Sequence, residues 1–323
     1  MPRDSASALL DVAHANANVL AGALSGAATA TISNPLDVAK TRIQVQGGLM
    51  SEAKYSGIFR SVFTIYSEEG LRGMYRGYSA ALCSFPVYWS IYFPTYEFVK
   101  GQLSGPLGEH PMAVHGLSAT CTGLAVDVAT YPLWFLRTRM HTQHLHQQLA
   151  PAGTGRDGYS TLRSTIYNIY KREGAGAFFK GMTASCFGIL SYGIQFPMYE
   201  YLKHQVAIDP ETDKPTASGV VLAAIVSKAV GASFSYPGDV VRTRMQDQMG
   251  KSQYKHFVDA MVQIARKEGV GSLYAGFQVN IFRILPQCAT TFFVYEHVKA
   301  SIEDLEVRRS AFRRFTTQKP LLQ

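Results

Sequence analysis

The residues of this chain best suited to chemistry are charged pairs, and they come in threes. Acid and base stand three apart in Asp37–Lys40 and in Asp239–Arg242, each just after a proline. The matching stretch after Pro132 keeps its base, Arg137, but puts Trp134 where the acid would be. A second set has the order aromatic-acid-x-x-base: Tyr96-Glu97-Phe98-Val99-Lys100, Tyr199-Glu200-Tyr201-Leu202-Lys203 and Tyr295-Glu296-His297-Val298-Lys299. Side chains three apart share one helix face, so this spacing suits ion pairing rather than proton transfer. No nucleophile–base constellation accompanies it. Gly174-Ala175-Gly176 lacks the rest of a dinucleotide fingerprint and the strand that should precede it. His141, His144 and His146 lie where a helix runs into a polar loop, which is poor ground for a metal site. The sequence indicates no enzyme, no metal and no bound cofactor. A soluble helical interaction protein is the rival reading from another class.

The elements that carry these residues repeat at a period of about a hundred residues, far longer than that of helical solenoids. Pro35-Leu36-Asp37-Val38-Ala39-Lys40-Thr41-Arg42 returns as Pro132-Leu133-Trp134-Phe135-Leu136-Arg137-Thr138-Arg139 and as Pro237-Gly238-Asp239-Val240-Val241-Arg242-Thr243-Arg244. Between the two charged signatures come Glu69-Gly70 with Tyr75-Arg76-Gly77, Glu173-Gly174 with Phe179-Lys180-Gly181, and Glu268-Gly269 with Tyr274-Ala275-Gly276. Patterning predicts a helix over 16–45 bent at Pro35, a short amphipathic helix over 58–69 and a helix over 79–100. It predicts a second triplet at 112–142, 160–172 and 183–205, and a third at 217–247, 257–266 and 277–302. Polar connections over 147–157 and 208–215 separate them. The short helices are expected to lie along a membrane surface.

Bulk properties narrow the class less. A net charge of +8 and a pI near 9.2 suit nucleic acid, an anionic membrane or an anionic solute. The basic residues recur at fixed places beside apolar helices, however, and no nucleic-acid motif is visible. Cys83, Cys121, Cys186 and Cys288 stand singly in apolar stretches and read as small packing residues rather than a disulfide or zinc framework. Residues 1–15 read as a tail that is neither a secretory signal nor an Arg-rich transit peptide. No run of 18 uninterrupted apolar residues exists, so a hydropathy scan alone could miss every span. Small residues such as Gly22 with Gly26 and Ser227 with Gly231 would permit close helix contact.

Over roughly residues 16 to 300 the chain resembles the mitochondrial carrier family, whose pattern is P-x-[DE]-x-x-[KR]-x-[KR], then [DE]-G-x4-[aromatic]-[KR]-G, then [FY]-[DE]-x-x-[KR]. The resemblance implies an all-α membrane protein: six transmembrane helices in three pseudo-symmetric repeats (16–101, 112–205 and 216–302) around a central cavity. Short matrix-side surface helices and a basic tail over 303–323 complete it. It implies a multi-pass monomer in the mitochondrial inner membrane, with the peroxisomal membrane as alternative. Two gates follow from it. At the matrix end Asp37 is expected to pair with Arg137 and Lys40 with Asp239, with Trp134 offering Arg242 a cation–π contact worth ~0.5–2 kcal/mol. Gln44 and Gln246 would brace these pairs, and His141 holds the corresponding place in the second copy. At the cytosolic end Glu97, Lys100, Glu200, Lys203, Glu296 and Lys299 would form a second ring. Rings that cannot close together are what alternating access needs.

The turns at Arg76-Gly77 and Lys180-Gly181 are expected to bind cardiolipin phosphates at helix N-termini; Ala275 removes the base from the third. The family's substrate positions fall on Arg283, on Phe187 and Gly188, and on Trp89, which suits an anionic group joined to a planar one. Lys228 is expected to contact phosphate, with a structural Lys228–Asp127 pair as the alternative. Pro-x-Trp, Phe187-Gly188, Ser227-Lys228 and Arg283-x-x-Pro286 resemble the branch carrying NAD, FAD, folate and pyrimidine nucleotides, and Phe196-Pro197-Met198-Tyr199-Glu200 looks most like the NAD carriers. A carrier of the same family for a carboxylate or amino acid is the nearer alternative.

Overall fold

The computed structural model describes residues 3–50, 53–105, 111–149, 161–207, 216–248 and 254–317. These form helices α1 (Arg3–Leu49), α2 (Ile58–Met74), α3 (Tyr78–Ser104), α4 (Pro111–Leu149), α5 (Leu162–Glu173), α6 (Met182–Leu202), α7 (Ala217–Asp247), α8 (Phe257–Glu268) and α9 (Phe277–Thr317), with no strand among the described residues. Long–short–long occurs three times. Helix α3 packs on α4, α6 on α7, and α9 returns to α1, so the three hairpins close into a ring. By length and composition Gly219–Asp247 is apolar enough to cross a membrane unaided. The other long helices carry the polar residues that face their partners and the central space.

Two elements run further than the sequence predicts. Helix α1 begins at Arg3, so most of the stretch read as a tail is helical. Neither glycine nor proline interrupts residues 3–21, and the alanines there favour a helix. Helix α9 continues through Thr317, because nothing after Pro286 within it breaks the hydrogen-bond ladder. The side chains of the basic tail, and the connections at 150–160 and 208–215, lie outside the described residues. Each of Pro35, Pro132 and Pro237 sits inside a helix that carries on beyond it. Cys83 and Cys121, read as packing residues, lie on exposed helix faces; with Cys288 they are free thiols.

The core lies beneath the prolines. Ile65 of α2, Ile169 of α5 and Ile264 of α8 occupy the same place in each repeat, and each is buried against the long helix that precedes it. Burying one such side chain contributes about 1.5–3 kcal/mol. The opposite faces of the short helices leave Phe59, Phe63, Tyr167, Tyr170, Val258 and Val262 exposed, as a helix lying in a membrane interface requires.

Two glycines per repeat shape the turn between short and long helix. Gly70, Gly174 and Gly269 take positive φ and end or kink the short helix; Gly77, Gly181 and Gly276 do so again before the next long one. A Cβ on Gly181 would also lie 3.2 Å from Arg242 O, Met245 Cβ and Tyr131 Oη, whereas one on Gly174 would meet nothing within 4 Å. Gly174→Ala therefore carries only a backbone cost, about 1–3 kcal/mol for a conformation essentially restricted to glycine (φ 80°, ψ 176°), whereas Gly181→Ala adds a clash with α4 and α7 to a left-handed cost of about 1–2 kcal/mol. Thermal unfolding in detergent should show the larger loss for Gly181→Ala; equal losses would mean that the turn does not rest on those helices.

Candidate functional site

At the proline end α1, α4 and α7 converge, and their polar side chains stack in three layers. The innermost holds the acids and bases named first. Asp37 accepts from Arg137 at 2.5 Å, and Lys40 donates to Asp239 at 3.3 Å. Both are the cross-repeat partners that the family threading gives. The third position differs from expectation. Arg242 lies over the ring of Tyr131, 5.2 Å from its centroid, while Trp134 stands under Arg137 at 5.7 Å. Tyr131 is three residues, nearly one turn, further back on α4, directly before the proline, and so meets Arg242 where Trp134 was expected to.

Arg283 of α9 joins this layer. It is bonded to Asp37, and both it and Lys40 donate to Asn280 Oδ1, at 3.1 and 2.9 Å. Asn280 thereby ties the two ion pairs into one network: Asp239–Lys40–Asn280–Arg283–Asp37–Arg137. The predicted substrate arginine is thus part of the closed end. Nothing in the charged motifs pointed to Asn280; its place one turn before Arg283 on the same helix face was the available signal.

The second layer is made of uncharged groups, and the glutamines act here rather than on the ion pairs. Thr138 donates to Gln246 Oε1 (2.8 Å) and Gln246 donates to Tyr131 Oη (2.9 Å). Thr243 donates to Gln44 Oε1 (2.9 Å) and Gln44 donates to Tyr236 Oη (3.2 Å). The tyrosines in turn donate to the carbonyls of Lys180 and Ala275 in the glycine turns. In the remaining seam Thr41 bonds His141 Nδ1 at 3.2 Å, and Asn34, in the tyrosine's place, donates to Met74 O at 2.8 Å and to Arg76 O at 3.4 Å.

The outermost layer escaped the sequence reading. The last base of each proline motif meets the glutamate of the next motif: Arg42 with Glu69, Arg139 with Glu173 (2.9 Å), Arg244 with Glu268. Each arginine also reaches a neighbouring repeat. Arg42 donates to His141 O, Arg139 to Asp247 O and Gln248 O, and Arg244 to Gln44 O. The side chains of Arg42 and Arg139 are fully buried. The glutamates also hold the basic residues of the glycine turns, Arg76 on Glu69 at 2.8 Å and Lys180 on Glu173 at 2.7 Å. Two bases expected to face lipid phosphate are therefore paired inside the protein.

The opposite mouth is arranged differently. Glu97 lies 3.9 Å from Lys100, and Glu200 3.8 Å from Lys203, each pair within one helix. The cross-repeat ring expected at this end is not formed among the described residues; the side chains of Glu296 and Lys299 lie outside them. Exposed i,i+3 pairs contribute only a few tenths of a kcal/mol, so they leave these charges free to change partners.

Between the two ends stand the remaining predicted contacts. Trp89 stacks on Phe93 (5.3 Å) and meets Tyr88 and Tyr92 edge-on, within an aromatic run along α3 that reaches Tyr96. Phe187 packs on Phe257 at 5.4 Å and against Gly238, where a Cβ would come within 2.5 Å of its ring. That ring is committed to packing, while a Cβ on Gly188 beside it would meet open space. Lys228 and Asp127 form no ion pair with each other. Among the described residues no metal-binding cluster occurs.

The profile of the mitochondrial carrier protein family matches three times, over residues 12–106, 108–209 and 213–305. The chain belongs to the mitochondrial carrier protein family. It is 34% identical over 87% of its length, and 78% of the relative's, to the mitochondrial nicotinamide adenine dinucleotide transporter 2 of Arabidopsis thaliana. It is 29% identical to mitochondrial nicotinamide adenine dinucleotide transporter 1 of Saccharomyces cerevisiae, over 88% of the chain and 77% of that protein. With the chloroplastic folate transporter 1 of Arabidopsis thaliana it shares 31% identity over 87% and 94%. The carrier's six membrane-spanning helices therefore pair as three repeats about a central cavity, closed here at the proline end.

Removing one partner from a buried ion pair costs about 3–5 kcal/mol, largely because it strands the other charge. Arg139→Gln should lower the unfolding temperature sharply, and adding Glu173→Gln should recover part of the loss. A double variant no more stable than the single one would show that the pair is not the coupling between them.

Proposed function

We propose that this carrier moves a nucleotide-type anionic cofactor (NAD, FAD, a folate or a pyrimidine nucleotide) across the mitochondrial inner membrane by alternating access. The observation that carries the reading is the double engagement of Arg283. It sits at the family's substrate position, yet it is bonded to Asp37 and shares Asn280 with Lys40. A phosphate that draws Arg283 away removes a cation from Asp37 and a donor from Asn280, and so loosens both ion pairs that hold the proline end shut. Binding then favours the conformation in which that end is open, as a ligand must if it is to shift an equilibrium. An aromatic run beside Trp89 and the open face at Gly188 suit the planar part of such a solute. Relatives named as nicotinamide adenine dinucleotide and folate transporters support the solute class.

In this reading the proline end faces the matrix. Glu97, Lys100, Glu200 and Lys203, now paired within their helices, exchange partners across repeats when the cytosolic mouth closes. Lipid phosphate would bind the amides at the N-termini of α3 and α6, preceded by the left-handed Gly77 and Gly181, and the carrier would act as a monomer.

Uptake into liposomes loaded separately with NAD, FAD, a folate and pyrimidine nucleotides tests the proposal. One of these should enter, and Arg283→Ala should reduce its uptake by roughly a hundredfold, as loss of a charge-assisted contact and of the coupling together would. Uptake of a carboxylate or amino acid with none of these solutes would overturn it. Glu200→Lys should cripple uptake and Lys203→Glu added to it should restore part. If no combination of swaps among neighbouring repeats rescues transport, the ring at this mouth is not an ion-pair gate.

A further inference from the structure

The innermost layer is not balanced. Its three bases occupy equivalent places, and two of them have acids: Arg137 has Asp37, and Lys40 has Asp239. Arg242 has neither. Among the described residues no carboxylate comes within 4.0 Å of it. Its contact is the face of Tyr131, and a ring face attracts a cation without neutralising it. The charge of Asp127, one turn before Tyr131, reaches Arg242 only from beyond ion-pair distance. Trp134 stands where the missing acid would be.

The position of this cation is equally specific. Arg242 shares a helix face with Asp239, one turn away, and Asp239 is the acid held by Lys40. Arg283 reaches the same pair from α9 through Asn280. The two arginines therefore flank the Lys40–Asp239 pair, and each presents a guanidinium able to hold a phosphate in a bidentate manner. The side chain of Asp239 between them is 40% exposed, so the network is open to the cavity at this point.

We propose that Arg242 is a second phosphate subsite, which takes the phosphate next to the one on Arg283 and so selects solutes with two linked phosphates over those with one. The inference rests on the nucleotide reading and goes beyond it. It also gives Trp134 a role by omission: an acid there would neutralise Arg242 and abolish the subsite.

The test compares solutes that share a base, NAD with nicotinamide mononucleotide and UDP with UMP, as KM values for uptake into liposomes holding the whole carrier. The wild type should prefer the member of a pair with two phosphates. Arg242→Gln should erase that preference, raising the KM of the two-phosphate solute by roughly tenfold or more while changing that of its partner little. Trp134→Asp, which leaves Arg242 in place, should shift the ratio in the same direction, and Arg242→Lys should keep much of it. Equal changes for both members, or an unchanged ratio in both Arg242→Gln and Trp134→Asp, would overturn the subsite while leaving the nucleotide reading standing. A wild type that takes up none of the four solutes but does take up a carboxylate or amino acid would overturn the nucleotide reading and the subsite with it.

Discussion

The closed end of this carrier depends on three arginines that could not be buried alone. Arg42, Arg139 and Arg244 sit deep among helices, and each is tolerated there because a glutamate from its own repeat neutralises it. The same guanidinium has donors to spare, and these reach carbonyls in the C-terminal part of a long helix of a neighbouring repeat, or just after it. One side chain therefore fixes the short helix beneath its own repeat and attaches that repeat to another. The threonine and glutamine layer and the ion-pair layer lie on a floor already held by these contacts. Their selectivity for a partner can then be modest, because alignment is set elsewhere.

The fold was largely legible because its signals are threefold and local. Prolines at equivalent points, glycines where φ must turn positive and an isoleucine at the same point of each short helix all recur in order. The pairs Asp37–Arg137 and Lys40–Asp239 are those the family resemblance implies; acid and base sharing a helix face allows them but does not choose the direction round the ring. The outer arginines were missed for a reason that geometry supplies. They lie two residues beyond the ring base, about 200° around the helix, and so point away from the axis toward the short helices. The motif contained both partners, but the reading attended to one face.

Other differences come from partners that a single residue does not show. Phe187 reads as a substrate position, and Gly238 across from it is what allows that ring to pack. Arg76 and Lys180 read as anchors for phosphate, and each is also held by a glutamate seven residues before it. The aromatic-acid-x-x-base signatures are a different case. They can pair within a helix or between repeats, and only the conformation decides which, so a single sequence cannot distinguish them.

Two of the places where the pseudo-symmetry breaks are on α4. Trp134 withholds an acid from the α4–α7 seam, and His141 replaces a glutamine in the α1–α4 seam, where its buried Nε2 has no partner among the described residues. The α1–α7 seam keeps the full set of contacts. Helix α4 thus meets its neighbours through a different set of groups from those that join α1 to α7, with Arg139 and His146 holding it near its tip. Under the alternating access proposed above, seams built from unlike groups part unequally even though the repeats that build them are alike.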